Sequence, residues 1–155
     1  MEYRKIKKMT TDMSSEKMFP LLEKVAGWLK EAGLEHELRF NHCKGYIAML
    51  PVYSEDGESE FVMMEVSKRD CSVDILGWLS RPVPEAQIEA ACDLLEGVSD
   101  FRGYIVAPCY GEHWCANKYL KEDELSKELL SAEVVSARSV VKECNRLLAP
   151  LWRGE

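Results

Sequence analysis

The fold is decided by residues 60–79, EFVMMEVSKRDCSVDILGWL. Two runs rich in valine, methionine and aromatic side chains, Glu60–Ser67 and Ser72–Leu79, flank a short charged stretch. Such runs are typical of β-strands, and so short a connection can join only antiparallel neighbours. With Arg69-Asp70 as the loop, the sequence predicts a hairpin. Its predicted pairs are Val66 with Val73, Met64 with Ile75, Met63 with Leu76, and Phe61 with Trp78.

A further strand, Tyr46–Tyr53, precedes this hairpin. The intervening segment contains Asp56-Gly57, a dipeptide that adopts the positive dihedral angles of a type I′ turn. A two-residue loop at that position pairs Val52 with Phe61 and Leu50 with Met63. A short additional strand is predicted at Glu37–Phe40.

The chain on either side of these strands predicts three helices, from their apolar periodicity and their proline and glycine boundaries. They cover residues 16–32, 84–96 and 122–148, and Pro150 is expected to end the last one. Two more strands, Gly103–Cys109 and His113–Leu120, are joined through Tyr110-Gly111-Glu112. The sequence therefore predicts an α+β fold with three helices and an antiparallel sheet of five to six strands, in the order α-βββ(β)-α-ββ-α. Residues 1–14 are expected to be a flexible segment before a single domain at 15–150.

Composition excludes several functional classes. The 155 residues carry 20 basic and 27 acidic side chains, a formal net charge of −7, which disfavours nucleic acid as a partner. No run of about 18 apolar residues is present, so no membrane partner is expected, and the charged N-terminus is not a secretory signal. A cytoplasmic protein with six reduced cysteines is the expectation.

The predicted pairs divide the middle strands into two apolar faces. The face predicted to lie under the helices carries Ile47, Met49, Val62, Met64, Val66, Val73 and Ile75. The opposite face carries Leu50, Val52, Phe61, Met63, Leu76 and Trp78, interrupted by Glu65 and Asp74. A one-sided antiparallel sheet should be polar on this second face, and an exposed apolar patch of that size marks an interface. These six residues are therefore the predicted surface for a homodimer or a partner polypeptide, although a helix of the same chain could also cover them.

The segment Cys109-Tyr110-Gly111-Glu112-His113-Trp114-Cys115 is the strongest candidate for chemistry. Two thiols and an imidazole lie around one turn, as a metal- or thiol-dependent enzyme using Cys109, His113 and Cys115 would need. Only three ligands are local, and no known catalytic or phosphate-binding motif occurs. The sequence therefore predicts no catalytic residue, no metal and no cofactor. A small-molecule sensor with an apolar pocket is a further alternative.

The order of elements resembles the YbjN-like family, whose fold is shared with type III secretion chaperones. The resemblance spans roughly residues 15–149. It is closest at Phe101-Arg102-Gly103-Tyr104-Ile105-Val106-Ala107, at Tyr110-Gly111 and at Asn117-Lys118-Tyr119-Leu120. The resemblance implies a non-enzymatic, often dimeric cytoplasmic protein that binds other polypeptides or has a regulatory role. The additional strand near Glu37–Phe40 departs from the simplest family pattern.

Overall fold

The fold is one antiparallel sheet with three helices, as seen in a computed structural model that describes residues 10–12, 18–41, 47–53, 60–96 and 101–153. The sheet order within these residues is β1-β2-β3-β4-β5-β7-β6, and all neighbours are antiparallel. The strands are β1 (Thr10–Asp12), β2 (Arg39–Asn41), β3 (Ile47–Val52), β4 (Val62–Ser67), β5 (Ser72–Trp78), β6 (Ile105–Tyr110) and β7 (His113–Lys121). The helices are α1 (Pro20–Glu31), α2 (Ile88–Glu96) and α3 (Lys127–Arg153), with 3₁₀ turns at Glu85–Gln87 and Glu122–Glu124.

The predicted class and element order are confirmed. Five strands of six to nine residues, β3 to β7, form the body of the sheet, and β2 lies where a short strand was expected. Strand β1 was not predicted. It pairs Thr10 with Asn41 and Asp12 with Arg39, so three residues of the segment expected to be flexible belong to the sheet.

Of the two predicted hairpin registers, one is correct and the other is wrong by one residue. In β4 and β5, Val66 pairs with Val73, Met64 with Ile75 and Met63 with Leu76, as the sequence predicts. In β3 and β4 the register differs by one residue, because Val52 pairs with Val62 and Leu50 with Met64. A shift of one residue sends every side chain of a strand to the other face. The turn predicted at Asp56-Gly57 lies outside the described residues.

The main core lies between the helices and one face of the sheet. Helix α1 buries Leu21, Leu22, Val25 and Leu29, which recur at helical spacing. In α3, Ala132 is exposed while a neighbouring row of residues is buried. That buried row follows the helical period: Leu130, Val134, Ala137, Val141, Cys144 and Leu148.

Helix α3 is continuous and extends past Pro150 to Arg153, so the prediction that Pro150 ends it is wrong. A proline within a helix removes one backbone hydrogen bond, and contacts of the last turn offset that loss. The indole Nε1 of Trp152 donates to the carbonyl oxygen of Pro82 at 3.0 Å. The guanidinium of Arg81 lies 5.8 Å from the centroid of the Trp152 ring.

Within the described residues, no helix is both long enough and apolar enough to cross a membrane.

Candidate functional site

Strand β6 forms one edge of the sheet, and it is exposed. It pairs only with β7 among the described strands, so the backbone groups along its outer side have no described strand beside them. Ile105 is 70% exposed and Tyr110 is 46% exposed, although both are large apolar residues in a strand. An edge strand with exposed apolar side chains is a template for pairing with another extended chain.

A groove of about 640 Å³ lies between β6 and α2. Val106 and Pro108 face it, since they pair with Ala116 and Trp114, which belong to the main core. Helix α2 contributes Ile88, Cys92 and Leu95 to the opposite wall. The volume falls within the range of ligand-binding clefts, which are apolar with a few polar groups at their edges.

Acidic side chains follow the exposed side of the helical segment beside this groove. Glu85, Glu89, Asp93 and Glu96 recur every three or four residues, and all four are exposed. Asp93 and Glu96 lie at the groove itself. The segment 84–96 contains no lysine or arginine. The rim of the groove therefore carries negative charge beside an apolar interior.

The structure contradicts the expectation of six reduced cysteines. Cys109 and Cys115 form a disulfide across the β6–β7 hairpin, with their Cα atoms 6.0 Å apart. Cys71, Cys92 and Cys144 are free thiols, and Cys43 lies outside the described residues. Burial raises the pKa of the Cys144 thiol to about 12.

The disulfide involves two of the three residues of the candidate metal or thiol site. Both sulfurs that would serve as ligands or nucleophile are bonded to each other. In the part of the chain that the structure describes, no group of three or more His, Cys, Asp or Glu side chains is arranged to hold a metal ion. His113 is in β7 near the turn, with its side chain only partly buried.

The six residues predicted to form an interface do not share one exposed face. Leu50 and Val52 lie in the main core beneath the helices, with 0% and 1% exposure, because the register of β3 differs by one residue. Met63, Leu76 and Trp78 lie on the second face, as predicted, but they are buried there together with Met49 and Cys115. Phe61 packs against this cluster and is partly buried. The exposed apolar face from which a partner was inferred is therefore not found at these positions.

Two carboxylates, Glu65 and Asp74, face each other across β4 and β5 on the second face. Asp74 accepts a hydrogen bond from the Asn117 amide at 3.1 Å. Partial burial raises the pKa of Asp74 above its usual value, although the hydrogen bond from Asn117 lowers it, and the Asp70 carboxylate adds to the increase. The raised pKa of Asp74 makes the stability of the folded protein depend on pH.

Asp74→Asn is expected to raise the free energy of unfolding near pH 7.5 and to lose that advantage toward about pH 4. Because the folded-state pKa of Asp74 is raised, its charged form destabilises the native protein. This penalty is complete above the folded-state pKa and disappears below the unfolded-state value of about 3.9. Urea unfolding of both proteins across this range tests the prediction, with Asp123→Asn as the exposed control. An advantage that stays constant or grows on acidification would contradict it.

A buried polar cluster ties the start of β6 to helix α3, and sequence reasoning missed it. The Glu133 carboxylate accepts from the Tyr104 hydroxyl at 2.9 Å and pairs with the Lys118 ammonium at 3.1 Å. Lys118 also donates to the carbonyl oxygen of Arg102 at 3.3 Å. Burial raises the pKa of the Tyr104 phenol far above its usual value, and the Glu133 charge raises it further. The signal for this cluster in the sequence is Glu133, an acidic residue next to the apolar residues of α3. The cluster holds the loop that leads into β6.

Comparison with known proteins gives no match to a family model, a curated protein or a solved structure.

Proposed function

We propose that this chain is a non-enzymatic module that binds an extended polypeptide segment at strand β6, with apolar side chains of the partner in the groove between β6 and α2. The observation that carries the proposal is the exposed edge strand beside an apolar groove. Strand addition uses the free backbone groups of an edge for affinity and a neighbouring pocket for specificity. The resemblance to YbjN-like proteins and secretion chaperones remains a prediction, in agreement with this function.

The usable edge is confined to the first half of β6. Pro108 has no backbone N–H, and the pairing with β7 is irregular between Pro108 and Tyr110. Both features block the pairing of a further strand. Ile105–Ala107 retains regular pairing and lies beside the groove. A partner would therefore add a short strand there.

The charge of the groove rim indicates the chemistry of the partner. Four exposed acidic residues along segment 84–96 favour an extended segment that alternates apolar residues with lysine or arginine. A second copy of this chain would bring the same acidic rim to the contact, and like charges oppose association. A basic partner polypeptide is thus favoured over the homodimer that the sequence predicts.

The proposal is tested with a fluorescent peptide of about ten residues that alternates valine and lysine. Its binding is measured by fluorescence anisotropy at low and high salt. The control is a peptide of the same length that alternates valine and glutamate. We expect the lysine peptide alone to bind, more weakly as salt rises. It should also protect the amides of Ile105–Ala107 from hydrogen exchange. Equal binding of the two peptides, or no binding, would contradict the proposal.

Val106→Lys is expected to weaken binding of the lysine peptide by at least about tenfold, which corresponds to ~1.4 kcal/mol. The half-buried Val106 lines the groove, so the new ammonium repels the peptide and fills the space that it would occupy. Val135→Lys is the matched control, because Val135 is 62% exposed on α3. Urea unfolding confirms that both variants are folded, and light scattering follows their oligomeric state. Equal effects of the two substitutions on peptide binding would exclude the groove as the binding site. If the wild type is a dimer and Val106→Lys dissociates it, the groove binds a second copy of this chain.

A further inference from the structure

The Cys109–Cys115 disulfide joins two sulfur atoms in very different surroundings. Cys109 is exposed on the edge strand β6, whereas Cys115 is 0% exposed in β7, within the cluster that contains Trp78 and Met63. Reagents in solution therefore have access to the bond from the side of Cys109.

The bond also lies where the pairing of the two strands is irregular. Ala107 pairs with Cys115 and Pro108 with Trp114, but Cys109 falls in the shift between Pro108 and Tyr110 and has no ladder partner in β7. The covalent bond therefore adds a connection between Cys109 and β7 at the place where the strand pairing is irregular. Breaking it removes that connection and leaves the ladder pairs on either side.

From the exposure of Cys109, the burial of Cys115 and the irregular pairing, we infer that this disulfide is a reversible thiol-exchange site whose state sets how firmly the end of β6 is held. The reagent is a low-molecular-weight thiol. Its thiolate attacks the Cys109 sulfur and forms a mixed disulfide, and the bond to Cys115 breaks, so that Cys115 leaves as a thiolate and takes up a proton. A second thiolate attacks the reagent's sulfur in the mixed disulfide and releases Cys109 as a thiol. Two reagent thiols are oxidised to one disulfide while the protein disulfide is reduced to two thiols.

The reverse sequence closes the bond again. The accessible Cys109 thiolate attacks an oxidised reagent disulfide, and the Cys115 sulfur, as a thiolate, then displaces the reagent thiol from Cys109. Disulfides in reducing compartments are usually transient or redox-sensing, which agrees with the cytoplasmic location that the sequence predicts. The inference concerns only the β6–β7 hairpin and holds whether or not a polypeptide binds at β6.

The experiment equilibrates the folded full-length protein with glutathione buffers of graded ratio, followed by rapid alkylation and peptide mass spectrometry. We expect Cys109 to become labelled in the folded protein over one reversible transition, and the disulfide-linked peptide that joins Cys109 to Cys115 to disappear over the same transition. Cys71 and Cys92, both exposed thiols, should be labelled in every buffer, and the buried Cys144 in none. Labelling of Cys109 only after the protein is unfolded, or its labelling even under oxidising conditions, would overturn the inference.

Hydrogen exchange supplies the second measurement. Reduction should accelerate exchange of the amides at the end of β6 by about tenfold, because it removes a constraint on local opening. Cys109→Ser should exchange like the reduced protein in every buffer. Cys71→Ser is the control, because Cys71 is an exposed thiol outside both the disulfide and the groove, and it should respond like the wild type. Equal protection of β6 in the two redox states would also overturn the inference.

Discussion

Glu133→Leu is expected to lower the free energy of unfolding by about 3 kcal/mol. Glu133 is 7% exposed, and its carboxylate is the partner of the Lys118 ammonium and of the Tyr104 hydroxyl. Removal of one member of a buried ion pair costs ~3–5 kcal/mol, because the remaining charge is left without compensation. The lower end of that range applies because the Lys118 side chain keeps 26% exposure. Chemical denaturation with urea measures the change.

Part of the cluster is expected to survive the substitution. The Tyr104 hydroxyl can still donate to the backbone carbonyl oxygen of Glu133, at 3.0 Å. Lys118 retains its contact with the carbonyl oxygen of Arg102 and its position 5.6 Å from the centroid of the Tyr104 ring. The Lys118 ammonium is therefore the group whose environment changes most. The isosteric Glu133→Gln, which keeps an acceptor for that ammonium, should cost no more than about half as much.

A double-mutant cycle separates loss of the ion pair from loss of packing. Glu133→Leu combined with Lys118→Met removes both charges and replaces them with apolar side chains, which is often close to neutral. The double variant is therefore expected to recover most of the stability lost by Glu133→Leu alone. Additive losses in the double variant would show that packing, and not an uncompensated charge, accounts for the cost.

The sequence predicts the fold correctly where a short turn determines how two strands pair. The charged turn between Ser67 and Ser72 fixes the register of β4 and β5, and the pairs follow as predicted. The two-residue turn predicted at Asp56-Gly57 gave the wrong register for β3 and β4, since Val52 pairs with Val62 and not with Phe61. The resulting shift of one residue moved Leu50 and Val52 from the predicted interface into the core.

The candidate site was harder to predict, because it depends on which elements become neighbours. The composition of Ile105–Tyr110 indicates a strand but does not show that the strand lies at the edge of the sheet. The placement of β7 between β5 and β6 decides that. The cysteine prediction relied on compartment, whereas bonding of Cys109 to Cys115 depends on the pairing of two adjacent strands and its local irregularity.

Gly77→Ala is expected to lower the free energy of unfolding by about 2–3 kcal/mol. Gly77 lies in β5 where helix α3 crosses the sheet, and a methyl group there would overlap Cγ2 of Val141. It would also lie 3.3 Å from the backbone carbonyl oxygen of Ala137. Val141 is β-branched and fully buried, so its side chain has little freedom to turn away. The helix would have to shift, and added volume in a packed core costs ~1–3 kcal/mol.

Gly27→Ala is the matched control for the same exchange. Gly27 lies on the exposed side of α1, and apart from the adjacent residues and the backbone of α1 itself no atom lies within 4 Å of the position that a methyl group would take. Alanine within a helix is favoured over glycine by ~0.5–1 kcal/mol, so this variant should be more stable than the wild type. Because α3 approaches β5 closely at Gly77, the two substitutions should change the free energy of unfolding in opposite directions, as measured by urea unfolding. A neutral or stabilising Gly77→Ala would mean that α3 packs on the sheet less closely than the structure shows.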